Sequence, residues 1–410
     1  MTEQPYDVVV FGATSFVGQI LTRYLFETFG TKGQMKWAIA GRSEHKLVNL
    51  KTDLGPDAAE LNFILADAED EFSLKAMCQS TRVVISTVGP YALFGEPLVK
   101  ACVESGTDYC DLTGEVQWIR KMIQTYEVQA KESGARIVHC CGFDSIPSDM
   151  GVFFLQQQAR QTLGGPCIEI KMRVKAAKGE FSGGTVASLM NVAKEAASDP
   201  ALRKELANPF SLCPPGHRST RRQPNVKSAE YDADLNVWLA PFVMSAINTR
   251  IVHRSNAMQG AAYGKEFQYD EAMIAGRGLK GRLAAYGITA AMGGFLVASA
   301  IKPSRWALER FVVPKPGEGP SRKSQEEGYY DLRFVGKTAD GKTIRAKVVG
   351  DQDPGYGSTG KMLGQAGACL AFDIAKTNKP GGFWTPASIF EDKLLSRLRT
   401  YAGLTFELIE

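Results

Sequence analysis

The stretch VVVFGATSFVGQ, residues 8–19, runs an apolar β-branched segment into Gly12 and places a second glycine, Gly18, six positions later. In a dinucleotide-binding turn the first glycine lets the backbone approach a pyrophosphate. The phosphates then rest on amides at the start of the following helix. Gly18 falls one turn into that helix, where a side chain would obstruct packing on the strand. Ser15 stands where a middle glycine is usual, and its hydroxyl can cap the helix or help hold a phosphate. Gly12, Ala13, Thr14, Ser15, Phe16 and Val17 are therefore the candidate phosphate cradle. The same letters would also serve a plain strand-to-helix corner, because a glycine pattern is a weak signal by itself.

A second signal lies about 30 residues on, where a strand ends in AIAGRSEHK. A site for NAD would carry Asp or Glu here to hold the ribose hydroxyls; this chain has Gly41 and Arg42, with Lys46 one helical turn later. An arginine at this place accommodates a 2′-phosphate through its delocalised charge and several donors. A merely solvated basic helix start is the weaker reading, since positive charge at a helix N-terminus opposes the macrodipole. The expected cofactor is NADP(H). Asp67, in LADAED, is placed to touch the adenine. Thr87, Val88, Gly89 and Pro90, in ISTVGPYALFG, offer backbone groups along the path of ribose and nicotinamide.

Hydride transfer from a nicotinamide needs an acceptor carbon, a proton or hydrogen bond at the other end of the reduced bond, and support for the charge that develops there. Tyr91, directly after Gly89-Pro90, and Asp144, beside Ser145 at the turn after the last strand of the first domain, are the catalytic candidates. Each also has a structural alternative, Tyr91 as packing against the cofactor and Asp144-Ser145 as caps for the helix that begins near Pro147. Ser182-Gly183-Gly184-Thr185 opens another helix as a cap or a contact for an anionic group. Eight scattered cysteines without a CxxC pair, and four histidines far apart, fit reduced thiols and no metal site. Cys140 and Cys141 are expected to pack as buried apolar residues.

Apolar runs and helical patterns alternate through the first 150 residues, with strands expected at 7–11, 36–40, 62–65, 82–87, 108–110 and 136–140. Helices are expected at 16–29, 43–53 and 97–105. Strands separated by helices of this length indicate βαβ units and a parallel sheet. Beyond residue 145 the rhythm changes to a helix at 147–163, a strand at 167–176, and a hairpin around Asp340-Gly341, with surface loops at 208–228 and 317–327. Helices at 358–377 and 390–401 close the chain. The fold class is α/β, a Rossmann-type parallel sheet domain over 1–150 plus a second α+β domain over 151–355, followed by C-terminal helices over 356–410. The 48 basic and 44 acidic residues leave a net charge of +4, too slight a surplus to point to nucleic acid.

The N-terminal MTEQPYD has no basic head followed by an apolar run, which suggests a cytoplasmic protein. From Leu283 to Ile301, LAAYGITAAMGGFLVASAI, no charge occurs. A bilayer span needs roughly 20 apolar residues. About half of these are Ala, Gly, Ser or Thr, so a buried or interfacial segment is favoured over a span. WALERFVV, 306–313, adds an amphipathic surface that suits lipid, leaving peripheral membrane contact through 283–313 open.

FGATSFVG, AGR, STVGPYALFGEPLVKACVESGTDYCDLTGE and HCCGFDSIPSDMG together resemble the saccharopine dehydrogenase-like oxidoreductases. Within that group the chain is most similar to the trans-acting enoyl reductases of bacterial lipid and polyketide synthesis. The similarity continues through FSGGTVASL (181–189), DPGYGSTGKML (353–363) and GGFWTPASIFEDKLLSRL (381–398), and so covers essentially the whole chain. Ser15 departs from the family loop, which often reads GATGF. The resemblance implies an N-terminal Rossmann domain for NADP(H), and a second α+β domain whose sheet covers substrate or supports a homodimer. It also implies a C-terminal helix that returns to the first domain. It further implies hydride transfer to a carbon–carbon double bond of a hydrophobic, carrier-borne lipid or polyketide chain. A saccharopine-type amino-acid dehydrogenase and a non-catalytic NADP-binding lipid-surface protein are the alternatives.

Overall fold

The computed structural model describes residues 4–179, 183–311 and 319–410. They divide into two compact units, a first that runs to Ile146 and takes back Gly355–Gly403, and a second that begins at Pro147 and includes Pro320–Pro354 and Leu404–Glu410.

The first unit opens with β1 (Tyr6–Phe11), α1 (Phe16–Phe29), β2 (Trp37–Gly41), α2 (Glu44–Leu54), β3 (Asn62–Leu65) and α3 (Glu71–Gln79). It continues through β4 (Thr81–Ser86), α4 (Tyr91–Phe94), α5 (Glu96–Ser105), β5 (Asp108–Asp111), α6 (Val116–Ser133) and β6 (Arg136–Val138). Val8, Val9 and Val10 are wholly buried, as β-branched residues are when helices cover both faces of a parallel sheet. α1 buries Gly18, Leu21, Thr22 and Leu25, the i, i+3, i+4, i+7 stripe of an amphipathic helix. β6 is shorter than the expected 136–140 strand, because Cys140 has φ +63° and leaves the extended region.

The second unit holds α7 (Ile146–Leu163), β7 (Cys167–Lys178), α8 (Gly183–Ser198), α9 (Pro200–Leu206), β8 (Glu230–Asp232), β9 (Val237–Pro241), α10 (Ser245–Met258) and β10 (Gln268–Gly276). α11 (Gly278–Ala300), α12 (Lys302–Phe311), α13 (Arg322–Glu326), β11 (Tyr329–Thr338) and β12 (Thr343–Gly350) follow. α14 (Gly357–Phe372), β13 (Gly382–Trp384) and α15 (Pro386–Tyr401) belong to the first unit, and β14 (Leu404–Ile409) to the second. Within 208–228 no helix or strand forms. α13 occupies part of the expected 317–327 loop, and residues 312–318 and Ser182 lie outside the described residues.

The first sheet has the order β13-β6-β5-β4-β1-β2-β3 with every pair parallel. The fold class is therefore a Rossmann-type parallel sheet. α14 lies close against it because Gly364 and Gly367 face Tyr24 and Ile85, and a Cβ on Gly367 would sit 2.3 Å from the Ile85 side chain. The second sheet, β14-β12-β11-β7-β10-β9-β8, is mixed. Its β11 alternates buried and accessible residues along its length, the pattern of a strand with one covered face. On that covered face Gly151 of α7 meets the Phe334 ring. β10 and β11 flank β7 on its two sides. The chain from Arg277 to Gly328 therefore leaves one sheet and re-enters the same sheet, carrying α11 between.

Candidate functional site

The sheet order puts the C-terminal ends of β4, β1, β2 and β3 side by side, and a cleft of about 310 Å³ opens over them. Gly12, at φ +82°, makes its floor. A Cβ there would sit 2.6 Å from Val88 Cγ2 and 2.8 Å from Thr87 Oγ1. The Gly12 and Ala13 amides both donate to the Ala40 carbonyl, at 3.0 and 3.2 Å, which ties the loop to β2. Gly18 presses on the loop from below, its ideal Cβ position only 2.1 Å from the Gly12 carbonyl oxygen. Backbone can come this close only where no side chain intervenes.

Ser15 caps α1 by accepting from the Gly18 amide at 2.9 Å. Its hydroxyl also lies 3.0 Å from Thr87 Oγ1, which donates to the Gly12 carbonyl at 2.9 Å. A hydroxyl carries one proton. With the Thr87 proton on Gly12, the Ser15 proton goes to Thr87, and the chain of bonds closes. Ser15 thus fastens the loop to the end of β4 and caps the helix in one arrangement. The amides of Phe16 and Val17, in the first turn of α1, have no intrahelical acceptor. The Phe16 ring turns away and packs edge-on against Tyr356, with centroids 5.1 Å apart.

Gly12, Thr14, Ser15, Gly41, Arg42, Lys46, Asp67, Thr87, Val88 and Gly89 all line the cleft. Ala13, Phe16, Val17 and Pro90 do not contribute to its lining. Arg42 and Lys46 are exposed, and neither head group has an acidic partner among the described residues. Ser43 accepts from the Lys46 amide and starts α2 between them. Asp67 spends one carboxylate oxygen on the Glu69 amide at 3.2 Å, closing its own turn. Phe11, Ser43, Ala66, Ala68, Glu69 and Phe94 complete the lining; these were not expected. Ser43 was readable as a helix cap, and Glu69 as the next residue but one to Asp67. Phe94 carries no local signal.

The catalytic candidates lie elsewhere. Tyr91 is 4% exposed, its phenol donates to the Ser86 carbonyl at 3.0 Å, and its ring packs on Trp118. Burial, with Asp111 and Glu115 nearby, pushes that phenol well above its ordinary value. The Tyr91 phenol is turned into the fold, and Tyr91 is absent from the cleft lining. Asp144 is half-buried in the turn after β6 and is also absent from the lining. Beneath that turn Asp111 accepts from the Thr113 and Cys140 amides at 3.1 and 3.2 Å and bonds the buried His139 ring at 2.7 Å. Cys140 and Cys141 are fully buried.

A parallel sheet, a glycine cradle at its first turn and a pair of cations at the second strand end define a dinucleotide-binding oxidoreductase. Residues 8–138 match the family model described as the saccharopine dehydrogenase NADP binding domain. The chain is 39% identical over 423 residues to a Mycobacterium tuberculosis protein provisionally named a trans-acting enoyl reductase, covering 99% of this chain and 98% of that one. It is 37% identical over 408 residues to the trans-acting enoyl reductase of Mycobacterium bovis, covering 97% and 96%. In fold it is similar to the apo saccharopine dehydrogenase (L-Glu forming) of Saccharomyces cerevisiae, with a TM-score of 0.54 at 12% identity over 99% of this chain and 100% of that one. The chain belongs to the saccharopine dehydrogenase-like oxidoreductases, in the group of the trans-acting enoyl reductases. Its cofactor is NADP(H), and the cleft has the glycine cradle and the cations that this group requires.

Proposed function

We propose that the protein uses NADPH to reduce a carbon–carbon double bond conjugated to a thioester on a hydrophobic acyl chain, acting in trans on a chain carried by a synthase. The observation that carries this reading is the end-to-end similarity to trans-acting enoyl reductases, which extends well past the cofactor domain. When bound, NADPH supplies the hydride for one carbon; the neighbouring carbon takes a proton, leaving the saturated thioester and NADP⁺. In this reading Arg42 and Lys46 hold the 2′-phosphate, the first-turn amides of α1 the pyrophosphate, and Asp67 lies beside the adenosine. Val88 and Gly89 form the wall at the reactive end, and Asp144 is the carboxylate that orients substrate or water. An amino-acid substrate of the saccharopine type would call for cations around its carboxylates. The cations of the cleft without an acidic partner among the described residues, however, sit at the β2 end, where the 2′-phosphate is expected. The test is substrate-dependent NADPH oxidation. Turnover of 2-enoyl thioesters supports the proposal, and turnover only of an amino acid with a 2-oxo acid overturns it.

We further propose that α11 and α12 rest on an anionic lipid surface. α11 is long and apolar enough to cross a membrane by length and composition. Its outward stripe of Leu283, Tyr286 and Val297 is exposed, Leu283 by 65%, and so are Ile301 just beyond its end and Trp306 of α12. Arg277, Lys280 and Arg282 flank one end, and Lys302, Arg305 and Arg310 the other. Such clusters favour anionic headgroups by about 1 kcal/mol per charge near the surface. Because the chain leaves and re-enters one sheet, a single crossing is incompatible with this fold, and the helix lies along the surface. Sedimentation with phosphatidylglycerol vesicles, reversed by high-pH carbonate, is the expected result. Equal recovery with phosphatidylcholine vesicles, or resistance to carbonate, would contradict it.

A further inference from the structure

The turn that follows β4 is held from a distance. Glu115 sits at the end of the loop after β5 and is 2% exposed. Its two carboxylate oxygens accept from the amides of Tyr91 and Ala92, each at 2.9 Å. Those amides open α4, whose Phe94 lines the cleft, and only Pro90 separates them from Val88 and Gly89, which line it too. Glu115 is itself fixed, since its own amide donates to Thr113 Oγ1 at 3.2 Å and its carbonyl accepts from Ile119 in the first turn of α6. Gly95, at the end of α4, leaves room for Trp118 of α6, where a Cβ would approach the indole to 2.6 Å. One carboxylate thus joins the β5 loop, the start of α6 and the segment that walls the cleft.

Which end of the cleft this wall serves follows from the sheet order. Arg42 and Lys46 stand at the end of β2, on one side of the Gly12 loop, and Val88 and Gly89 at the end of β4, on the other. With the 2′-phosphate at the cations and the pyrophosphate at the loop, the remaining part of the cofactor, the nicotinamide, is directed to the β4 side. We propose that Glu115 is a positioning residue for the nicotinamide, acting through the Tyr91 and Ala92 amides on the Val88–Phe94 wall. The proposal rests on the cofactor assignment and leaves the acyl substrate open.

The two bonds are charge-assisted and mutually aligned, so they hold the wall in one geometry before the cofactor arrives. Glu115→Gln keeps the size and one acceptor but sets an amide N–H₂ against a backbone N–H. Glu115→Ala removes both bonds. The test uses two probes on the full chain, NADPH and 2′,5′-ADP, which carries the 2′-phosphate and the adenosine without nicotinamide. In Glu115→Gln, NADPH affinity is expected to fall roughly tenfold, with loss of the fluorescence change of the bound nicotinamide, and further in Glu115→Ala. Binding of 2′,5′-ADP stays within about twofold of the unsubstituted chain in the Gln variant, since the β2 end is untouched. Equal losses for both probes would mean a purely structural role and overturn the proposal, as would unchanged NADPH binding in either variant. Absence of 2′,5′-ADP binding in the unsubstituted chain would instead reject the cofactor assignment. If Glu115→Ala fails to fold, the Gln variant alone decides.

Discussion

Glu271→Gln is expected to change how the stability of the second unit depends on pH. Glu271 of β10 is 2% exposed and receives the Tyr269 hydroxyl at 2.7 Å on one oxygen and the Asn248 amide at 2.9 Å on the other. Burial dominates these bonds and, with Asp270 adding to it, raises the carboxyl from 4.5 to about 7. A raised carboxyl means that the folded state holds the proton more tightly than the unfolded one. The stability this contributes is complete below about pH 4.5 and is lost as pH rises through about 7. The gap between 4.5 and about 7, at 1.36 kcal/mol for each unit, is worth about 3 kcal/mol once both states are charged. Gln has the same shape and carries no charge. Its N–H₂ finds an acceptor if the Asn248 amide turns over, because Asn248 Oδ1 makes no hydrogen bond as placed. Urea unfolding of both proteins at pH 5 and pH 8.5 removes every titration they share. The unsubstituted chain should lose between about 2 and 3 kcal/mol more than the variant across this interval. Parallel curves would show that Glu271 does not titrate there and that its hydrogen bonds outweigh its burial.

Three further substitutions probe the cleft. Arg42→Asp replaces an unpaired guanidinium with a charge that repels phosphate, so NADPH affinity should fall by on the order of a hundredfold while NADH affinity holds; equal losses in nucleotide titrations would contradict it. Gly18→Ala drives a methyl into the Gly12 carbonyl, 2.1 Å from its ideal position, and should cost roughly 1–3 kcal/mol of stability together with NADPH binding. A thermal melt indistinguishable from that of the unsubstituted chain would refute that packing argument. Tyr91→Phe removes the donation to the Ser86 carbonyl and the longer bond from the Leu112 amide, and should cost about 1–2 kcal/mol while leaving NADPH oxidation intact. A collapse of turnover at normal stability would restore the phenol as a proton donor.

The parallel sheet was legible because its strands are short apolar runs bounded by glycine or polar turns, and α1 begins and ends where Ser15 and Gly30 place it. The cleft's residues were legible where a backbone or charge requirement is local, as at Gly12, Arg42 and Thr87. The direction of a side chain was not. Tyr91 follows Gly89-Pro90 and reads as accessible, yet Trp118 and the Ser86 carbonyl, contributed by other elements, draw it inward. The bond from Ser15 to Thr87 spans 72 positions and exists only because β1 and β4 are neighbours. β13 has three residues, too few to show a period, and it joins the sheet edge only by pairing with β6. β14, in LTFELI, carries a strand's alternation, but nothing local to it selects β12 of the second sheet as its partner.

The central claim is that the Gly12 cradle and the Arg42–Lys46 pair form a working NADP(H) site. Dissociation constants of NADPH and NADH, measured by nucleotide fluorescence on the purified chain, test it most directly. The account predicts NADPH binding tighter than NADH by at least about tenfold, the contribution of a charge-assisted contact to the 2′-phosphate. Equal affinities would remove the role given to Arg42 and Lys46, and no binding of either nucleotide would contradict the claim outright.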